Sequence, residues 1–207
     1  FGLILLNDWS ARDIQSWEAR PLGPHLAKSF ASQVGAWVVP LDALAHARIP
    51  TPSQATALPY LRHDANWGFD IDLGVHLETA QMRHQSDAPQ TIVRTNLRHM
   101  HWNGAQQLSH ATVNGAPTRA GDLLGSGTVS GPELESAGCL LEHTDAGRRP
   151  IILDDGTRRS WVEDGDRIIL SGQARGKTGN IVSFGTLSGQ VIPALAKDTT
   201  PVAAESD

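Results

Sequence analysis

Disulfide bonding is closed to this chain: one cysteine, Cys139, stands among 207 residues, and a lone thiol forms no internal bridge. A reducing, cytoplasmic setting is the expectation. Positive charge is also short. The 17 Lys and Arg against 22 Asp and Glu give a formal charge of −5, whereas a nucleic-acid binder usually carries a basic patch. Long apolar runs are missing too. The opening FGLILL is too short to span a bilayer and lacks the charged start of a signal peptide. Neither nucleic acid nor membrane is therefore an expected partner.

Several catalytic signatures are absent as well. There is no H-E-x-x-H, C-x-x-C, G-x-S-x-G or G-x-x-x-x-G-K-[ST]. The glycine-rich GSGTVSG (125–131) has neither the lysine nor the following helix that a phosphate loop needs. Nucleophilic serine or cysteine catalysis has no support. Nine histidines invite a metal reading, above all His99-x-His101. If 91–110 is helical, however, positions two apart point about 200° from each other and share no ion.

What is present is an ordinary globular composition, 40% hydrophobic and 19% charged, in a chain long enough for one domain with a sizeable core. Glycine (20) and proline (12) are spread throughout, and helical periodicity is scarce. FGLILL reads as a buried strand, AWVVPL (36–41) as a strand, and IPTPSQATALP (49–59) as a proline-rich loop. WGFDIDLGVHLE (67–78) alternates apolar with polar, the half-buried strand pattern. A second helix is expected over 91–110, with Leu97, Met100 or His101, Gly104 and Leu108 along one face, and a tight turn at Asn114-Gly115. GDLLGSGTVSG, CLLEHT, RPIILDDG and DGDRIILSGQARG read as short strands punctuated by Asp-Gly turns, the signal of an antiparallel sandwich or roll. The expected class is mostly β with a few short helices.

The densest chemistry lies in LLNDWSARDIQSWE (5–18). One helix over 8–20 is expected, capped by Asn7 or Asp8, with Ser10-x-x-Asp13 resembling a capping box and Arg20-Pro21 as its stop. At 3.6 residues per turn, Asp8, Arg12, Gln15 and Ala19 then share one stripe. Asp8 and Arg12 form either a solvated i,i+4 ion pair or part of an active-site wall. Lys28, among Leu26, Ala27 and Phe30, is either a snorkelling lysine or a site group. Glu142 is either the solvent-facing end of a strand or a buried acid that orients something basic. The residues by themselves leave these pairs open.

Taken together, NDWSARDIQSWE, PLGPHLAKSF, HATVNGAPTRAGDLLGSGTVSGPE and DGDRIILSGQARG, in this order and at these intervals, closely resemble the fumarylacetoacetase (fumarylacetoacetate hydrolase) family from about residue 3 to residue 195. The resemblance implies a mixed β-sandwich roll and a partial catalytic domain over 1–196, followed by a disordered tail over 197–207. It implies hydrolysis of a carbon–carbon bond in a β-diketone acid, 4-fumarylacetoacetate, to fumarate and acetoacetate, the last step of tyrosine breakdown. Related members of the superfamily cleave acylpyruvates or decarboxylate oxaloacetate. A Ca²⁺ or Mg²⁺ cofactor and a homodimer are implied too.

By the same resemblance, Asp8 matches a carboxylate ligand of the cation. Arg12, Gln15 and Lys28 match donors that stabilise developing negative charge. Gln15 and Thr128 match substrate contacts, and Glu142 matches the acid that orients a general-base histidine. Lys28, through its carbonyl oxygen, and Ser32 match further metal contacts. The family often has a tyrosine where Ala19 stands and a threonine where Ser32 stands. Its general-base histidine, a Glu-x-Glu pair, another aspartate ligand and a small β-barrel domain fall before the position of Phe1. The chain is therefore expected to start within a larger protein, and residues 1–207 alone are expected to be inactive. A non-catalytic dimerisation or metal-binding module is the alternative.

Overall fold

A computed structural model of the protein describes residues 1–207 except 53, 55, 56, 63–66, 177, 178 and 196–207. The expected tail over 197–207 lies outside the described residues, as does part of the loop over 49–59. The architecture is mostly β with short helices, as the strand signals predict.

The chain opens with β1 (Gly2–Leu3) and β2 (Leu6–Asp8), then α1 (Arg12–Glu18), α2 (Leu26–Ser29), β3 (Ser32–Val34) and β4 (Val39–Pro40). Short strands β5 (Arg48–Ile49) and β6 (Gly68–Phe69) precede β7 (Asp72–Glu78), α3 (Ala80–Gln85), β8 (Gln90–Asn96) and α4 (Gly104–Thr112). The last part holds α5 (Leu140–His143), β9 (Ile151–Ile152), β10 (Arg158–Arg159), β11 (Arg167–Arg175) and β12 (Ile181–Gln190). The backbone of the fold is a four-stranded antiparallel sheet in the order β12-β11-β7-β8. Two-stranded ribbons β1-β4, β2-β3, β5-β6 and β9-β10 surround it.

The alternation in 67–78 becomes β6 and β7, with Phe69, Ile71 and Leu77 buried. Asp-Gly turns fall where expected, because Gly156 (φ 83°) and Gly165 (φ 89°) take the left-handed region that costs glycine little. Leu5, Val39, Leu44, Phe69, Ile71, Phe184 and Leu187 form the larger core cluster between the sheet and the N-terminal ribbons. Leu77, Met82, Leu153 and Ile168 form the second, with Trp9 packed on it.

Five local expectations are corrected. The helix expected over 8–20 is shorter, because Asn7 and Asp8 ladder to Gln33 and Ser32 in the β2-β3 ribbon. Helix α1 therefore starts at Arg12 behind Ala11, without a side-chain cap. The helix expected over 91–110 divides: 90–96 is strand β8, and only 104–112 is helical. Thr91, Ile92, Val93 and Thr95 are β-branched and find β7 as a partner, which outweighs the apolar spacing that suggested a helix. Asn103 and Gln106 then cap α4 reciprocally. CLLEHT contains helix α5 in place of a strand. Within AWVVPL the ladder involves only Val39 and Pro40, opposite β1, and GDLLGSGTVSG runs without a ladder.

Candidate active site

The site begins at the end of β2. Strand pairing sets Asp8 directly opposite Ser32 of β3, and the Ser32 hydroxyl lies 3.5 Å from Asp8 Oδ1. Trp9 Nε1 donates to Gln33 Oε1 at 2.8 Å, which pins the next position of the ribbon. From α2, the Lys28 ammonium donates to Asp8 Oδ2 at 2.7 Å and to the Asp8 carbonyl at 3.0 Å. Asp8 thus takes its ion-pair partner from twenty positions downstream. No ion pair joins Asp8 to Arg12 among the described residues. Arg12 instead donates through Nη1 to Gln15 Oε1 at 3.0 Å, one turn along α1.

Asp8, Arg12, Gln15, Lys28 and Thr128 all line one open cavity of about 2710 Å³. That volume is far above the roughly 300–1,000 Å³ typical of a small-molecule pocket, so a small ligand would fill one end of it. The rest of its wall includes Leu3, Trp67, Leu97, Met100 and the extended segment around Gly125. Ala19 does not line the cavity; it closes α1, its N–H donating to the Gln15 carbonyl at 3.0 Å.

Glu142 is exposed and does not line the cavity, although its neighbour Leu141 does. Its carboxylate accepts a short hydrogen bond from Ser130 Oγ, and Ser130 Oγ in turn accepts the Gly138 N–H at 3.0 Å. Gly138 permits this close approach: a Cβ there would stand 2.3 Å from the Val129 carbonyl oxygen and 2.8 Å from Thr128 Cγ2. The glycine therefore lets the turn before α5 lie against the strand-like segment that carries Thr128. Neither reading offered for Glu142 from sequence included a helix. Its side chain is exposed, not buried, and one neighbouring hydroxyl holds its carboxylate.

Ser130, bonded to Glu142, and Glu18, whose carboxylate accepts the N–H groups of His25, Leu26 and Ala27, are groups that sequence reasoning passed over. Ser130 lay inside the quoted GSGTVSGPE block but carried no role. The signal for Glu18 was fainter, an acid closing a short helix ahead of the backbone turn that it holds.

The described residues provide a hard carboxylate (Asp8) and a hydroxyl (Ser32) side by side, donor types suited to Ca²⁺ or Mg²⁺. Their number does not complete a site. Such ions take six or more oxygens, roughly, and the Asp8 carboxylate is occupied by an ammonium. Among the described residues no group of three or more His, Cys, Asp or Glu side chains is placed to hold a metal, which includes His99 and His101.

Residues 1–192 match the family model described as fumarylacetoacetate (FAA) hydrolase C-terminal. The chain is 48% identical over 196 residues to a human fumarylacetoacetase, which covers 94% of this chain and 46% of that protein. Similar matches are a fumarylacetoacetase of Arabidopsis thaliana, 46% identical over 93% of this chain and 45% of the relative, and one of Caenorhabditis elegans, 47% identical over 94% and 45%. The chain thus spans a little under half the length of these relatives. With the NDWSARD wall and the GSGT segment lining one cavity, and with these matches, the chain belongs to the fumarylacetoacetate hydrolase family, as its C-terminal part.

Proposed function

We propose that the protein carrying this chain hydrolyses 4-fumarylacetoacetate to fumarate and acetoacetate, the last step of tyrosine breakdown, acting in the cytoplasm as a homodimer. The observation that carries this reading is the convergence of Asp8, Arg12, Gln15, Lys28 and Thr128 on one cavity in a chain of this family. In the reaction, water's oxygen bonds to one carbonyl carbon and the adjacent carbon–carbon bond breaks. The electron pair of that bond stays on the departing acetoacetate carbon, which then takes a proton.

Negative charge therefore develops on the diketo oxygens. Arg12 and Lys28 supply fixed cationic donors toward it, and Gln15 holds the Arg12 fork by its own carbonyl, leaving its amide free for substrate. Donors fixed before the reaction stabilise that charge without reorganising, which is worth several kcal/mol, roughly, in a dry site. Thr128 offers its hydroxyl as a substrate contact. A divalent ion, Ca²⁺ or Mg²⁺, would add Lewis-acid polarisation, with Asp8 and Ser32 contributing two of its oxygens and further ligands coming from elsewhere. Glu142, fixed by Ser130, has the role of orienting the base that takes water's proton.

The test is an assay of the intact protein with Mg²⁺ or Ca²⁺, following loss of the diketone absorbance and appearance of fumarate and acetoacetate. Acylpyruvate and oxaloacetate serve as competing substrates. Turnover of either of these in preference to 4-fumarylacetoacetate overturns the substrate assignment, and turnover of none supports the non-catalytic alternative.

A further inference from the structure

Glu18 closes α1, and its carboxylate is given entirely to the backbone that leads to Lys28. Oε1 accepts the N–H of His25 and the N–H of Ala27, both at 2.7 Å, and Oε2 accepts the N–H of Leu26 at 3.1 Å. The Ala27 N–H above all, followed by those of His25 and Leu26, holds the Glu18 carboxyl below the ordinary carboxylate range. Ala27 is wholly buried, and its carbonyl accepts the N–H of Ala11, just ahead of α1, at 3.0 Å. Both polar groups of the Ala27 backbone are therefore tied to α1, one at each end of the helix. The next residue is Lys28, whose ammonium rests on Asp8.

We infer that Glu18 is a positioning residue: its carboxylate clamps the 25–27 backbone to α1 and so sets the Lys28 ammonium against Asp8. The inference rests on the proposed hydrolase reading for its kinetic test. A lysine has a long, flexible stem, so its charge is aimed only as well as its backbone is held. Sequence distance alone cannot do this, because six residues, including Pro21, Gly23 and Pro24, separate Glu18 from the first amide it binds. The clamp also differs from an ordinary ion pair. It needs an oxygen acceptor at one place more than it needs negative charge, since Oε1 alone makes both of the shorter bonds.

The test uses Glu18→Ala, Glu18→Asp and Glu18→Gln in the intact protein, alone and combined with Lys28→Ala, assayed well below each variant's Tm. Glu18→Ala should lower kcat by about 10²-fold, the scale of a catalytic group misplaced by about 1 Å. Glu18→Asp, one methylene too short, should behave alike. Glu18→Gln keeps an oxygen at the Oε1 position and should recover most of the loss. Glu18→Ala should cost less than about twofold more once Lys28 is already alanine, because the two act through one interaction. A Glu18→Ala enzyme with wild-type kcat overturns the inference, as does a Glu18→Ala loss carried undiminished into the Lys28→Ala background. Should the wild-type protein turn over no diketo acid, the hydrolase reading fails and the clamp is judged by NMR. Glu18→Ala must then speed amide exchange at residues 25–27 and shift the Lys28 ammonium ¹⁵N signal toward that of a free lysine, and unchanged signals overturn it.

Discussion

A carboxylate changes meaning with its nearest neighbours, and the acids of this site illustrate it. Asp8 is half exposed and paired with a cation; Glu18 is spent on three amides; Glu142 is exposed and held by a hydroxyl. Different losses follow. Asp8→Ala removes the carboxylate from the cavity and leaves the Lys28 charge uncompensated, so metal affinity in the intact protein should fall and turnover nearly vanish. Calorimetric titration with Mg²⁺ or Ca²⁺ beside the activity assay checks it, and unaltered affinity would remove Asp8 from the ligand set. Glu142→Gln should lower kcat with little change in KM, since the acid supports a base and does not hold substrate. Ser130→Ala should reproduce part of that loss, because it frees the Glu142 carboxylate without touching the cavity. Steady-state kinetics showing a raised KM with intact kcat in either variant would place Glu142 on the substrate instead.

Among the elements, β7 at the centre of the four-stranded sheet carries a titratable group. His76 faces Thr91 Oγ1 at 3.0 Å and Ser171 Oγ at 3.4 Å, on the two flanking strands. Burial first, and then the positive charge of Arg94, pushes the His76 imidazole below its ordinary range. The folded state therefore binds fewer protons than the unfolded one. The contribution of His76 to stability is fully present above the unfolded pKa of about 6.5 and is lost as pH falls through the lower folded value. Denaturant unfolding between neutral and mildly acid pH should show a decline that His76→Gln reduces. A variant with the full wild-type slope would assign the decline to other groups. The same sheet explains why 91–96 is not helical: β7 needs a partner on this flank, and a β-branched segment supplies one.

For the whole molecule, one site wall is present together with much uncovered apolar surface. Trp17 is 91% exposed, Leu26 70% and Trp37 66%. No histidine hydrogen-bonds Glu142 among the described residues, and no group of three or more His, Cys, Asp or Glu among them is placed to hold a metal. Residues 1–207, purified alone, should therefore show no measurable diketone hydrolysis with either metal. Loss of a general base costs about 10²–10⁴ in rate, and a weakened metal grip compounds it. Light scattering should show association that grows with concentration, as exposed apolar patches predict. Robust metal-dependent turnover by this polypeptide, free of longer forms, would make one of its own histidines the base.

The sequence by itself determined the mostly β class, the Asp-Gly turns, the alternating strand over 67–78 and the kinds of residue that form the site. These are local properties: side-chain period, turn chemistry and the order of functional blocks are all readable along one dimension. Tertiary structure decided where each group sits. Asp8 reaches the cavity from a strand because β3 ladders to it, and the expected helical stripe survives only from Arg12 onward. Its partner is Lys28 and not Arg12, and Glu18 and Ala11 tie the backbone just ahead of Lys28 to α1. Glu142 lies on a helix because the turn at Gly138 packs against Thr128 and Val129. Hydrogen bonds and packing between distant segments outweigh local preferences worth only tenths of a kcal/mol per residue, roughly. Spacing along the chain carries no record of which distant segment supplies them.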